Sequence, residues 1–145
     1  MNRLSAMTVA FSAAVLLAGC MSSNASTKTY HASLTATQEV PPTATSGTGT
    51  GTFTLDTTTK MLTWSVSYTG LTGPAGAAHI HGPAAPGVNA GVEVNLSPNG
   101  PPANPITGSA ALTDAQIADL EGGKTYVNIH TAANKGGEIR GQIAP

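Results

Sequence analysis

The stretch from Thr48 to Tyr68 reads TGTGTFTLDTTTKMLTWSVSY, and its period of two decides the fold class. Gly49, Gly51, Phe53 and Leu55 alternate with Thr48, Thr50, Thr52 and Thr54. Leu62, Trp64, Val66 and Tyr68 alternate in the same way with Thr63, Ser65 and Ser67. Successive side chains of a strand point to opposite faces, so each run carries one apolar face and one hydroxyl face. Asp56 to Lys60 lies between them as a turn. The two runs predict a hairpin with one buried face, anchored in the core by Trp64.

The same period continues outward. Upstream, Tyr30, Ala32 and Leu34 alternate with His31, Ser33 and Thr35. Downstream, Gly70 to Gly76 reads as loop, Ala77 to His81 as a short strand, and Gly82 to Ala90 as a loop rich in Pro and Gly. Val92, Val94 and Leu96 give another strand, Ser97 to Pro105 a further loop, and Ile106 to Leu112 a weaker strand. One helix signal follows. Thr113 with Gln116 forms a capping box, Ile117 and Leu120 supply a buried stripe, and Gly122-Gly123 stops it. Tyr126 to His130 and Glu138 to Ile143 close the fold. Seven to eight short strands with one short helix predict an all-β, Greek-key β-sandwich or barrel.

Charged residues make up only 9% of the 145, and the net charge is −1. Phosphate binding needs clustered Lys and Arg, so this composition excludes nucleic acid as a partner. The first residues differ from the rest. Arg3 is followed by an apolar run, Met7 to Leu17, too short to span a bilayer and ending in Leu16-Leu17-Ala18-Gly19-Cys20. This pattern is a secretory signal, and its end resembles the lipobox of bacterial lipoproteins. The resemblance implies a signal peptide over 1–19, lipidation of Cys20, and a polar tether over 20–27 ahead of a domain over 28–145. It implies an exported protein anchored by lipid alone, on the periplasmic side of the outer membrane or on the cell surface. Cys20 is the single cysteine, so it has no internal disulfide partner.

Five stretches carry a family resemblance. They are Gln38-Glu39-Val40-Pro41-Pro42, Ala78-His79-Ile80-His81-Gly82-Pro83, Leu120 to Tyr126, Val127-Asn128-Ile129-His130-Thr131, and Gly137-Glu138-Ile139-Arg140-Gly141-Gln142. In this order the chain resembles the chordin-type (CHRD) domain, and so a bacterial CHRD domain-containing lipoprotein. The resemblance implies a β-sandwich and says little about activity, because function lives in sites rather than folds.

The histidines offer chemistry. His79 and His81 are two apart on a strand and share a face, opposite Ala78 and Ile80, which belong to the core. In the later strand Val127 and Ile129 are core, leaving Tyr126, Asn128 and His130 on the other side. His79, His81 and His130 can therefore share one outer surface. Imidazoles in this pattern suit copper or zinc. They resemble the copper side of the copper–zinc superoxide dismutases, also Greek-key barrels. The chain lacks that family's zinc loop and disulfide, which places copper ahead of zinc. His31 points outward near the tether and is a candidate fourth ligand. The alternative is structural, with His79 and His81 bonding loop carbonyls to fix the loop over 82–90.

Arg140, with Glu39 or Glu138, is expected to form an ion pair tying the first loop to the last strand. The other option for Arg140 is to steer anions toward the histidines. There is no Gly-x-Ser-x-Gly, His-Glu-x-x-His or P-loop motif. Three functions follow: copper buffering, delivery or tolerance at the three-histidine site; a superoxide dismutase-like copper reaction there; or a non-catalytic extracellular interaction module without metal, its protein partner unknown.

Overall fold

The computed structural model describes residues 26–145. Eight strands appear in chain order: β1 (Thr27–Thr35), β2 (Thr48–Asp56), β3 (Met61–Thr69), β4 (Ala75–His81), β5 (Val92–Asn95), β6 (Ile106–Ala111), β7 (Tyr126–Thr131) and β8 (Ile139–Gln142). One helix, α1 (Asp114–Glu121), lies between β6 and β7. All pairings are antiparallel, in the order β5-β4-β7-β8-β1-β2-β3-β6. The sheet curls into a nearly closed barrel with β5 and β6 as its two edges. Set side by side, those edges would complete a Greek-key ring. The signal peptide over 1–19, Cys20 and most of the tether lie outside the described residues, and Thr27 already belongs to β1.

The hairpin expected from residues 48–68 is present. β2 and β3 pair without interruption from Thr48↔Thr69 to Asp56↔Met61, with the turn between them. β1 pairs with β2 over its whole length, from Thr27↔Asp56 to Thr35↔Thr48. Tyr30, Leu34, Phe53, Leu55, Leu62, Trp64 and Val66 are all buried inside, each such burial contributing roughly 1.5–3 kcal/mol. The outer face of β1–β3 keeps its Thr and Ser in solvent. The α1 capping box forms as read, with Thr113 Oγ1 accepting from the Gln116 N–H and Gln116 Oε1 accepting from the Thr113 N–H. Leu120 seats the helix on the core.

The short strands differ from the reading in detail. β4 begins at Ala75 rather than Ala77 and carries an irregularity between Ala75 and Ala77. This lets Ala75 and Ala78 both face inward. β5 has a second irregularity opposite Ile80/His81. There the alternation of Val92, Val94 and Leu96 breaks, because Val92 is 56% exposed while Val94 and Leu96 are buried.

The register of the central strands places the site. Thr35 of β1 pairs with Arg140 of β8, Arg140 with Asn128 of β7, and Asn128 with His79 of β4. Two residues along, Gln142 pairs with Tyr126 and Tyr126 with His81. The outer face of β4-β7-β8 therefore carries two polar rows. It is not open: Tyr126, Asn128 and Arg140 are each 3% exposed or less.

Candidate metal centre

The strand parity read from the sequence holds, since Ala78, Ile80, Val127 and Ile129 are buried in the core and the three histidines stand on the opposite face. His79, His81 and His130 each bring one ring nitrogen within 4.8 Å of the others. His79 Nδ1 lies 3.0 Å from His130 Nε2. Ligands around a tetrahedral copper or zinc stand about 3.3 Å apart, given bonds of about 2.0–2.1 Å. The trio thus needs only small imidazole rotations to close on an ion. His31 is not among them. It lies on β1, beside Thr52 and Ala144, four residues from the Thr35 row.

Two loop carbonyls set the nitrogen each ring presents. His81 Nδ1 is 2.9 Å from the Ala90 carbonyl, and His130 Nδ1 is 2.9 Å from the Lys135 carbonyl. A carbonyl only accepts, so both rings carry hydrogen on Nδ1, and in the neutral form they turn an Nε2 lone pair toward the cluster. This hydrogen-bonded outer shell is what orients histidine ligands in metal sites. Without an ion His130 Nε2 accepts from His79 Nδ1–H; an ion would replace that hydrogen bond, with the His79 hydrogen moved to Nε2. His81 Nε2 is buried with no hydrogen-bond partner at all. Burial, followed by the neighbouring imidazoles, holds the pKa of His79 below the usual imidazole value. Burial does the same to His130, against the pull of the Lys135 carbonyl. Both rings are therefore neutral at pH 7, the form that binds metal.

A stack supports His81. Its ring lies on the Tyr126 ring at 4.9 Å between centroids, with only 2° between planes. The Arg140 guanidinium lies 3.4 Å from the Tyr126 centroid. β4 and β8 flank β7, so imidazole and guanidinium cover opposite faces of the phenol. The Tyr126 hydroxyl accepts from the Ala90 N–H, and Ala90 is the residue whose carbonyl holds His81. Arg140 donates to Val88 O at 2.6 Å and Asn89 Oδ1 at 3.1 Å, and Asn89 Nδ2 donates to Val40 O. The loop over 82–91 is thus pinned across the outer face. The loop-fixing role considered for these histidines is real for His81, which uses Nδ1 for it and keeps Nε2 free.

The expected ion pair among Glu39, Glu138 and Arg140 does not form. Among the described residues the ion pairs are Lys28–Glu121 and Lys60–Asp114. Arg140 is occupied by loop oxygens and by Tyr126, and at 2% exposure it offers no face for steering anions. Glu138 accepts from the Thr72 N–H and from the side chains of Thr72, Thr131 and Asn134. Burial alone would raise the Glu138 carboxyl, but these donors hold it below its ordinary value. Glu39 is 5% exposed, its Oε1 has no partner, and its nearest neighbours include Gly137 and Asn128. Burial pushes its carboxyl up to about 7, against the pull of Arg140, the Val40 N–H and Asn128.

The CHRD domain family model matches residues 30–143. The chain belongs to the CHRD domain family. Comparison with curated proteins and with solved structures finds no match. The match takes in all eight strands bar the first three residues of β1, and CHRD membership points to an extracellular module. The family assignment leaves the chemistry of the histidine cluster to be argued from its geometry. Sequence reasoning missed Tyr126, Asn89 and the carbonyls of Ala90 and Lys135 as supports of this cluster. Tyr126 was signalled by sharing the parity of His130. Backbone carbonyls of loops leave no such trace.

Proposed function

We propose that this CHRD domain is an exported, lipid-anchored copper-binding module of the cell envelope. Its ion would be held by His79, His81 and His130 and buffered or passed on there. The observation that carries the reading is the buried, unpartnered Nε2 of His81. Leaving a buried polar atom unpaired costs about 1–3 kcal/mol, and here the ring stands 5.6 and 6.2 Å between centroids from two other imidazoles. Nitrogen-only donors favour copper over zinc by intrinsic affinity. The anchor and the envelope location rest on the signal and lipobox pattern ending at Cys20.

The test is a metal titration of the full chain with copper and zinc, beside the His79→Ala/His81→Ala/His130→Ala variant. One copper per chain, lost in the variant, is the expected result. Binding weaker than about micromolar, a free energy of only about 8 kcal/mol, would leave an interaction module whose histidines organise loops.

A further inference from the structure

The copper reading leaves open which oxidation state the site selects, and two features on the same face bear on it. The first is the donor set. Three imidazoles form the cluster, and no Cys, Asp or Glu joins them among the described residues. Cu(II) favours a tetragonal field of four nitrogen or oxygen donors, whereas a closed-shell Cu(I) is satisfied by three neutral imidazoles in a plane. The second feature is charge. The Arg140 guanidinium lies 3.4 Å from the Tyr126 centroid and the His81 ring 4.9 Å from it on the other face, which sets guanidinium and imidazole no more than about 8 Å apart. Arg140 is buried and makes no ion pair; its partners are a carbonyl and an amide. Its charge therefore reaches the metal position, offset in part by the Glu39 carboxyl that feels the same guanidinium.

Resting on the copper-site reading, we infer that the site is selective for the monovalent ion, Cu(I), because the three-imidazole cluster lacks an anionic ligand and faces the unpaired guanidinium of Arg140 across the Tyr126 ring. Cu(II) carries one more positive charge than Cu(I), and that extra charge alone meets the added repulsion. At about 8–10 Å and an effective dielectric near 20, one buried charge shifts the ratio of the two affinities by about 15- to 30-fold.

The test measures both affinities by competition, Cu(I) under anaerobic reducing conditions and Cu(II) in air. The full chain carries Cys20→Ser throughout, so that the thiol does not capture Cu(I). Asn89→Asp is the decisive variant. It keeps the oxygen that accepts from Arg140 and places a carboxylate there. The expected result is tighter binding of Cu(I) than Cu(II) in the parent. In Asn89→Asp the ratio moves at least about tenfold toward Cu(II), equivalent to a fall of at least about 59 mV in the one-electron potential. Arg140→Gln should move it the same way, and Arg140→Lys, which keeps the charge, should restore it. Cu(II) bound as tightly as Cu(I), or a ratio unmoved by Asn89→Asp, overturns the oxidation-state claim while the copper site stands. Failure to bind either ion overturns the site and this claim together.

Discussion

Glu39→Gln is expected to stabilise the domain at pH 8 and to leave it nearly unchanged at pH 4.5. Glu39 lies buried with an unpartnered oxygen, and its carboxyl titrates at about 7 instead of 4.5. Between those values the unfolded chain has lost a proton that the folded chain still holds. Stability contributed by this residue is therefore fully present below pH 4.5 and declines as pH rises to 7. The climb from 4.5 to about 7 corresponds to about 3 kcal/mol at about 1.36 kcal/mol per pH unit. His79 and His130 act in the opposite sense. Their lowered values mean that the stability they contribute is present above 6.5 and falls as the medium is acidified below it. Both proteins share those histidines, so the difference between them isolates Glu39. Urea denaturation at intervals from pH 4.5 to 8 reads it directly. The gap should open from near zero to about 3 kcal/mol, with most of the change between pH 5 and 7. A gap that stays constant across this range would refute the reasoning.

Two substitutions test the packing that carries the site. In Gly141→Ala, the new Cβ would stand 2.5 Å from the Ser33 carbonyl oxygen and 2.8 Å from its carbon. Backbone cannot yield as a side chain can, so β8 must part from β1 at a cost of about 3 kcal/mol, seen as a fall in Tm of roughly 10 °C. Gly91→Ala, which meets nothing within 4 Å, is the control and should leave Tm in place. Glu138→Ala strips the acceptor from four donors at once, and denaturation should show a loss of about 3–5 kcal/mol. A loss below about 1 kcal/mol would mean that water replaces the carboxylate without penalty.

The strands and the helix could be read from the sequence because they answer to local rules. The Thr48–Tyr68 alternation fixes a hairpin whatever surrounds it, and Thr113 and Gln116 cap α1 through their own backbone. The parity of His79, His81 and His130 follows from the same period of two. What alternation could not reveal is what covers a face. The histidine face reads as an open surface, but the loop over 82–91 and the segment around Glu39 lie over it, and Tyr126 and Arg140 end up buried. Charge was similarly misleading. Glu138 and Arg140 are two residues apart and opposite in sign, yet each finds partners in loops distant along the chain, Thr72 for one and Val88 and Asn89 for the other. Val92 escapes the core because an irregularity in strand pairing shifts its register, and register depends on a neighbouring strand rather than on Val92's own sequence context.

The direction of β1 bears on how a tethered domain would present its histidines. The chain enters the barrel at Thr27, at the end where Lys28 meets Glu121 of α1. Thr35, at the other end of β1, heads the row that runs through Arg140 and Asn128 to His79. The eight strand steps between them span about 27 Å at 3.4 Å per residue. A surface to which the residues before Thr27 fasten the domain would face the helix end, while the imidazoles would stand on the barrel's outer wall at the level of the far end of β1. A diffusing carrier could then reach the cluster without touching that surface. Two neighbouring copies fastened side by side would hold their clusters at the same height above it.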